Sequence, residues 1–167
     1  MRSEVWLPTR LALSDGTPID LRELHPSDGP GVRTWFRSLS PEARYQRFGA
    51  PVSDLPDAHW RYLTRVDGIS HVAIVALHDA DYIGISRMIL LDDAGHSAEV
   101  AFLVDDAWQR RGLGSILRDV LFTTARARAI ERLYAWVLPG NVAIRKLLVS
   151  AAPRVVDRGD VLELTLR

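Results

Sequence analysis

The segment Gln109-Arg110-Arg111-Gly112-Leu113-Gly114-Ser115 brings together two glycines, two arginines and the start of an apolar helical stripe. These are the residue types that hold an anion through main chain. Glycine at 112 and 114 removes side chains where a backbone would have to approach a phosphate closely. The unsatisfied N–H groups and positive dipole end of a helix starting there would face the anion, and Arg110 and Arg111 would add charge. The plain alternative is that the glycines only let the helix pack on a sheet, which for a bare G-x-G is the usual case. Position after a strand-like run and before a long helix favours pyrophosphate. Neither G-x-G-x-x-G nor G-x-x-x-x-G-K-[ST] occurs, and the preceding strands read as an antiparallel meander in place of a βαβ unit. Dinucleotide and nucleoside triphosphate sites are thereby disfavoured.

The remaining chemical vocabulary is small. Cysteine is absent, which removes disulfides, zinc-thiolate sites and thiol nucleophiles. His25, His59, His71, His78 and His96 lack metal-ligand spacing, so structural roles and no metal are expected. The adjacent acids Asp92-Asp93 and Asp105-Asp106 are expected to be solvated turn residues. Trp35, Phe36, Tyr45, Phe48 and Trp60 could line an acceptor cleft, but aromatics at helical spacing more often form core. Lysine plus arginine and aspartate plus glutamate number 21 each, so no general attraction to nucleic acid or membrane is expected. Met1 to Pro8 lacks the apolar centre of a secretory leader and no run approaches membrane-spanning length, so a cytoplasmic protein is expected.

The elements that must position these residues follow from patterning. A chain of 167 residues, 47% hydrophobic, suits one domain over residues 1–167. Residues 10–24 read as a hairpin about Asp15-Gly16. Small helices follow, one carrying Val32, Trp35, Phe36 and Leu39, one capped by Ser40 with Pro41 at its first position, and one carrying Trp60 and Leu63. Three strand-like runs, 71–77, 82–91 and 97–104, are separated by turn signals and form the meander. Leu113, Ile116, Leu117, Val120, Leu121 and Thr124 make the stripe of a long helix. A strand at 133–137, a helix from Asn141 to Ser150 and a closing hairpin complete the order, with Arg158-Gly159-Asp160 as a turn.

Gln109, Gly112 and Gly114 match [QR]-x-x-G-x-[GA], and with this element order the chain resembles the GCN5-related N-acetyltransferases (GNAT) over nearly its whole length. The resemblance implies an α+β fold with a central, mostly antiparallel twisted sheet of about seven strands flanked by helices. It implies acetyl-CoA as cosubstrate, with the backbone of Phe102, Leu103 and Val104 pairing the pantetheine arm. Residues Gln109, Arg110, Arg111, Gly112, Leu113, Gly114 and Ser115 would hold the pyrophosphate. Asn141 sits where that family commonly has a cofactor-binding asparagine; its simpler role is a helix cap. Ser40-Pro41-Glu42-Ala43-Arg44-Tyr45-Gln46-Arg47-Phe48 is similar to the S-P-E-S-R-Y-x-R-F segment of bacterial protein lysine acetyltransferases, which modify acyl-CoA synthetases and other metabolic enzymes. Ala98 to Val104 is similar to their A-E-[IV]-A-F-x-V strand, whose glutamate is the general base. That role falls on Glu99.

Chemistry supports a carboxylate there independently. A lysine amine has a pKa of ~10.4 and must lose a proton before attacking a thioester. Leu148 stands where the wider family often has a tyrosine acid, but a thiol of pKa ~8.5 leaves tolerably without one. Ala152-Pro153 departs from the Gly-Phe that usually ends this helix. The expected activity is direct acetyl transfer to a primary amine, foremost a protein lysine. A small-molecule amine and a catalytically silent acyl-CoA sensor are the alternatives.

Overall fold

The computed structural model describes residues 10–166; the stretch Met1 to Pro8 lies outside them. Strands β1 (Arg10–Ala12) and β2 (Pro18–Glu23) form the opening hairpin. Strands β3 (His71–His78), β4 (Asp81–Leu90) and β5 (Ser97–Val104) form the meander. Then come β6 (Arg132–Trp136), β7 (Arg154–Asp157) and β8 (Val161–Thr165). The helices are α1 (Gly29–Ser38), α2 (Pro41–Phe48), α3 (Asp57–Thr64), α4 (Leu113–Ala127) and α5 (Val142–Val149). The eight described strands make one sheet, ordered β1-β2-β3-β4-β5-β6-β8-β7. Every neighbouring pair is antiparallel except β5 and β6. The α+β architecture agrees with the resemblance, with one strand more than the approximate seven.

Side chains of a strand alternate between faces, and β3 shows how this sheet uses both. Val72, Ile74 and Ala76 join one core with α4, while Ala73, Val75 and Leu77 join a second beneath α1 to α3. The aromatics of the helical segment belong mainly to that second core. Phe36 meets Trp60 edge-on at 5.4 Å and Phe48 at 5.6 Å. Tyr45 is the exposed member of the set. On the opposite face α4 lies close to β4, because a Cβ at Gly84 would stand 3.1 Å from Leu117 and 3.2 Å from Leu113. No helix among the described residues is long and apolar enough to cross a membrane.

His71 is buried in this framework. Arg87 Nη1 donates to its Nε2, so that nitrogen must offer a lone pair and the ring is neutral. Burial, and secondly the Arg87 charge, pull its pKa from 6.5 down to about 4. An unfolded histidine takes a proton near ~6.5, so acid favours the unfolded chain through this group. Its stabilisation is complete above the unfolded value and is lost as pH falls from there through the folded one. Asp28 and Asp67, both held at about 2, act in a lower window. The melting temperature is therefore expected to fall between pH 7 and pH 5, and His71→Gln is expected to flatten that slope. A parent protein melting equally at both pH values would contradict this protonation state.

Candidate active site

The cleft begins where two strands part. β5 and β6 pair only at Ser97 with Arg132, Ala98 with Leu133 and Glu99 with Tyr134. Beyond Glu99 the strands diverge, and the wall of a cavity of about 580 Å³ includes Val100 to Val104 on one side and Ala135 to Val137 on the other. Backbone groups on that freed edge of β5 lack a strand neighbour, so an extended ligand can pair with them as a strand would.

At the far end of β5 the chain turns through a short 3₁₀ segment, Asp106–Trp108, into the glycine loop. Gln109 Nε2 donates to Val104 O at 3.2 Å, closing the loop on the strand end. Arg110 and Gly112 both have positive φ, 58° and 90°, the second a conformation that favours glycine. The first main-chain bond at the helix start runs from Ile116 N–H to Gly112 O, 3.1 Å. The N–H groups of Leu113, Gly114 and Ser115 belong to the first turn of α4, ahead of that bond, and have no partner within the helix.

Of the residues singled out from sequence, Phe102, Leu103, Val104, Gln109, Arg110, Gly112, Gly114, Ser115 and Asn141 line the same cavity. Asn141 also caps α5, its Oδ1 accepting from Ile144 N–H at 3.2 Å, which is the simpler of the two roles offered for it. Leu113, the first residue of α4, is buried and has only main chain to offer. Arg111 turns its side chain the other way. Its guanidinium bonds Asp15 and Thr17, each at 2.7 Å, and lies 4.4 Å over the Trp108 ring. Its carbonyl accepts from Ser14 N–H and Oγ–H. The opening hairpin thus braces the loop from behind, and Arg110 is the arginine directed at the cleft.

Glu99 stands one residue inside the point of divergence and is partly buried. Strand alternation sets it, Ala101 and Leu103 toward the α1 to α3 side, since Ala98, Val100 and Phe102 belong to the core under α4. That side is where α2 packs on β5. α2 adds Glu42, Ala43, Gln46 and Arg47 to the cavity wall, and their spacing of one, three and four is that of a single helix face. Nothing in the residue types of Ser40 to Phe48 marks Glu42, Gln46 and Arg47 as cavity residues.

Two acids expected to be free in solvent hold this arrangement together. Ser40 donates through N–H and Oγ–H to Asp106 at 3.2 and 2.9 Å, and Trp35 Nε1–H donates to Asp105 at 3.3 Å. Asp105 and Asp106 therefore tie α1 and α2 to the segment after β5. Arg44 is spent on main chain, donating to Val52 O at 2.7 Å, to Arg37 O at 3.1 Å and to Leu39 O. Arg47 differs from these. Burial pulls its pKa below the ordinary arginine value, and the Glu99 charge opposes that pull. Leu148, in the position of the absent tyrosine, is fully buried at the cavity wall. Ala152 packs against the core and Pro153 leads into the edge strand β7. Among the described residues no three His, Asp or Glu side chains are grouped to hold a metal ion.

Residues 32–149 match the acetyltransferase (GNAT) family. Acetyltransferase Pat of Mycolicibacterium smegmatis is 32% identical over 143 residues, which is 84% of this chain and 43% of that protein. This chain therefore spans less than half of that relative's length. Acetyltransferase PA5475 of Pseudomonas aeruginosa is 29% identical over 81% of this chain and 75% of its own. The GNAT domain of S. lividans PAT superposes with a TM-score of 0.84 at 29% identity, covering 93% of each chain.

Proposed function

The chain belongs to the acetyltransferase (GNAT) family, and from that premise we propose that it transfers an acetyl group from acetyl-CoA directly to a primary amine, a lysine side chain of a metabolic enzyme. The observation that carries this reading is the parting of β5 and β6 immediately after Glu99. One strand thereby carries Glu99 one residue short of the cavity wall, an unpaired backbone edge along that wall and a glycine loop after its far end. The fit to a phosphate-bearing, extended cosubstrate rests on the same features. Gly112 and Gly114 leave room at a helix start, Arg110 supplies charge, and the freed edge over Phe102 to Val104 matches an amide-bearing arm. Asn141 is a further contact in this reading.

Glu99 takes a proton from the incoming ammonium, directly or through water. The amine nitrogen then attacks the thioester carbonyl carbon. A C–N bond forms, the C–S bond breaks, and the second proton lost by the nitrogen passes, directly or through water, to the leaving thiolate. Backbone N–H groups stabilise the charge developing on the carbonyl oxygen. Two features support lysine as acceptor: the Ser40 to Phe48 segment, similar to that of protein lysine acetyltransferases, and the likeness to acetyltransferase Pat. Incubating the protein with labelled acetyl-CoA and a cell extract is expected to place label on lysines of a few proteins. Label confined to small metabolites would assign the acceptor to a small amine, and tight acyl-CoA binding without turnover on any amine would favour a sensor.

A further inference from the structure

Arg47 is the feature the acetyl-transfer reading leaves unused. It lines both the main cleft and a smaller cavity of about 40 Å³ that it shares with Arg87, Ala101, Phe102 and Leu103. Among the described residues its guanidinium has no hydrogen-bond acceptor and no ion-pair partner within bonding distance; it lies 4.9 Å over the Phe48 ring and feels the Glu99 charge only at longer range. The neighbouring arginines are occupied. Arg44 is held by three carbonyls, Arg87 by Leu63 O and His71, and Arg111 by Asp15 and Thr17. A guanidinium has five N–H donors, and at Arg47, partly buried between the two cavities, none of them meets a protein acceptor among the described residues.

Gln46, the preceding residue, has the complementary vacancy. Its Nε2 donates to Glu42 Oε1 at 2.5 Å, while its own Oε1 is buried with no partner. An unfilled cation and an unfilled acceptor thus stand side by side on α2, facing the side of β5 that carries Glu99. The glycine loop is absent from the walls of the smaller cavity, so a pyrophosphate held at Gly112 to Ser115 would lie away from Arg47's inner side.

Building on the acetyltransferase reading, we propose that Arg47 and Gln46 anchor the acceptor, and that the acceptor carries a carboxylate close to the amine it presents to Glu99. The planar guanidinium fork matches a carboxylate in a bidentate geometry. A single negative charge suits the site better than a phosphate dianion, because Glu42 and Glu99 lie on the same side. Gln46 Oε1 would accept an N–H from the same acceptor. The carboxylate has two sources, an acidic side chain beside the target lysine or the carboxylate of a free amino acid.

The test uses the whole chain with saturating acetyl-CoA. Acceptors are matched peptides holding one lysine flanked by Asp and Glu or by Asn and Gln, and free lysine against its carboxamide. The parent protein is expected to prefer the acidic member of a pair by roughly 10- to 100-fold, chiefly in KM, the range of a charge-assisted hydrogen bond. Arg47→Gln is expected to bring that ratio near one, and Arg47→Lys to restore part of it. Which pair shows the preference identifies the source of the carboxylate. No preference in the parent protein, or an equal loss in Arg47→Gln on acidic and neutral acceptors, would overturn the proposal. So would a fall in kcat with KM preserved, which would move Arg47 to the reacting carbonyl. Titrating the same peptides onto the coenzyme A complex gives a readout without turnover. Acidic-peptide binding that depends on Arg47, in a protein that acetylates nothing, would sustain the anchor and defeat the acetyl-transfer reading alone.

Discussion

Glu99→Gln is expected to slow acetyl transfer at neutral pH by ~10²- to 10⁴-fold, the usual worth of a positioned general base. Glutamine keeps the size and the β5 backbone but cannot accept the ammonium proton. At pH 7 an amine of pKa ~10.4 is neutral in roughly one molecule in 2,500, so the variant has to wait for that fraction. Its rate is therefore expected to climb about tenfold per pH unit up to the amine's own pKa, while the parent levels off earlier. The gap between the two proteins closes toward pH 10. Acyl-CoA affinity is read separately by titration and is expected to be retained, because Glu99 lies one residue outside the cavity wall that begins at Val100. A residue that merely supported the strand would lower stability or affinity without bending the pH profile. A variant turning over at the parental rate at pH 7 would remove Glu99 from the chemistry and leave Tyr134, its register partner on β6, as the next side chain at the point of divergence.

How much of this site could be read from the sequence depended on how local each determinant is. The glycine loop was legible because its glycines, its arginine and the stripe of the helix behind it lie within a dozen residues. Asn141 as a helix cap was legible for the same reason. Which arginine serves the cleft was not, because Asp15 and Thr17, more than 90 residues upstream, decide where Arg111 points. The cleft itself depends on a parallel pair that stops after three residues, and no composition or periodicity of β5 or β6 records where such pairing ends. The residues Gln46 and Arg47 were hidden in the same way. Their helix face is regular, but only the docking of α2 on β5, fixed through Asp105 and Asp106, turns that face toward the cavity. Adjacent aspartates in a turn are ordinarily solvated, so nothing in their type distinguished them. Of the proposed chemistry, the carboxylate at 99 was the part that needed the family resemblance, since an acid between apolar neighbours on a strand has many other uses.

Gly114→Val is expected to weaken acyl-CoA binding by about 100-fold or more while the melting temperature changes by only ~2 °C, the scale of a surface substitution. Gly114 lies in the first turn of α4, in the cavity wall, and its φ is not positive. A Cβ there would meet only the flexible Leu147 side chain, at 3.4 and 3.9 Å. The fold therefore has room for a side chain, whereas a phosphate approaching the N–H groups of Leu113, Gly114 and Ser115 does not. Losing two such charge-assisted bonds at ~1.5 kcal/mol each accounts for the expected factor. Gly112 separates the two requirements. Its φ of 90° penalises any Cβ, but the space around it is open, the nearest atoms being those of Ser14 at 3.8 Å and beyond. Gly112→Ala is accordingly expected to cost ~1–2 kcal/mol of stability and comparatively little affinity in the fraction that is folded. The two glycines of one motif thus answer to different measurements, 114 to acyl-CoA titration and 112 to thermal melting. If Gly114→Val bound acyl-CoA as tightly as the parent, the loop would serve only to seat α4 on the sheet, and the phosphate would have to be held elsewhere along the cleft.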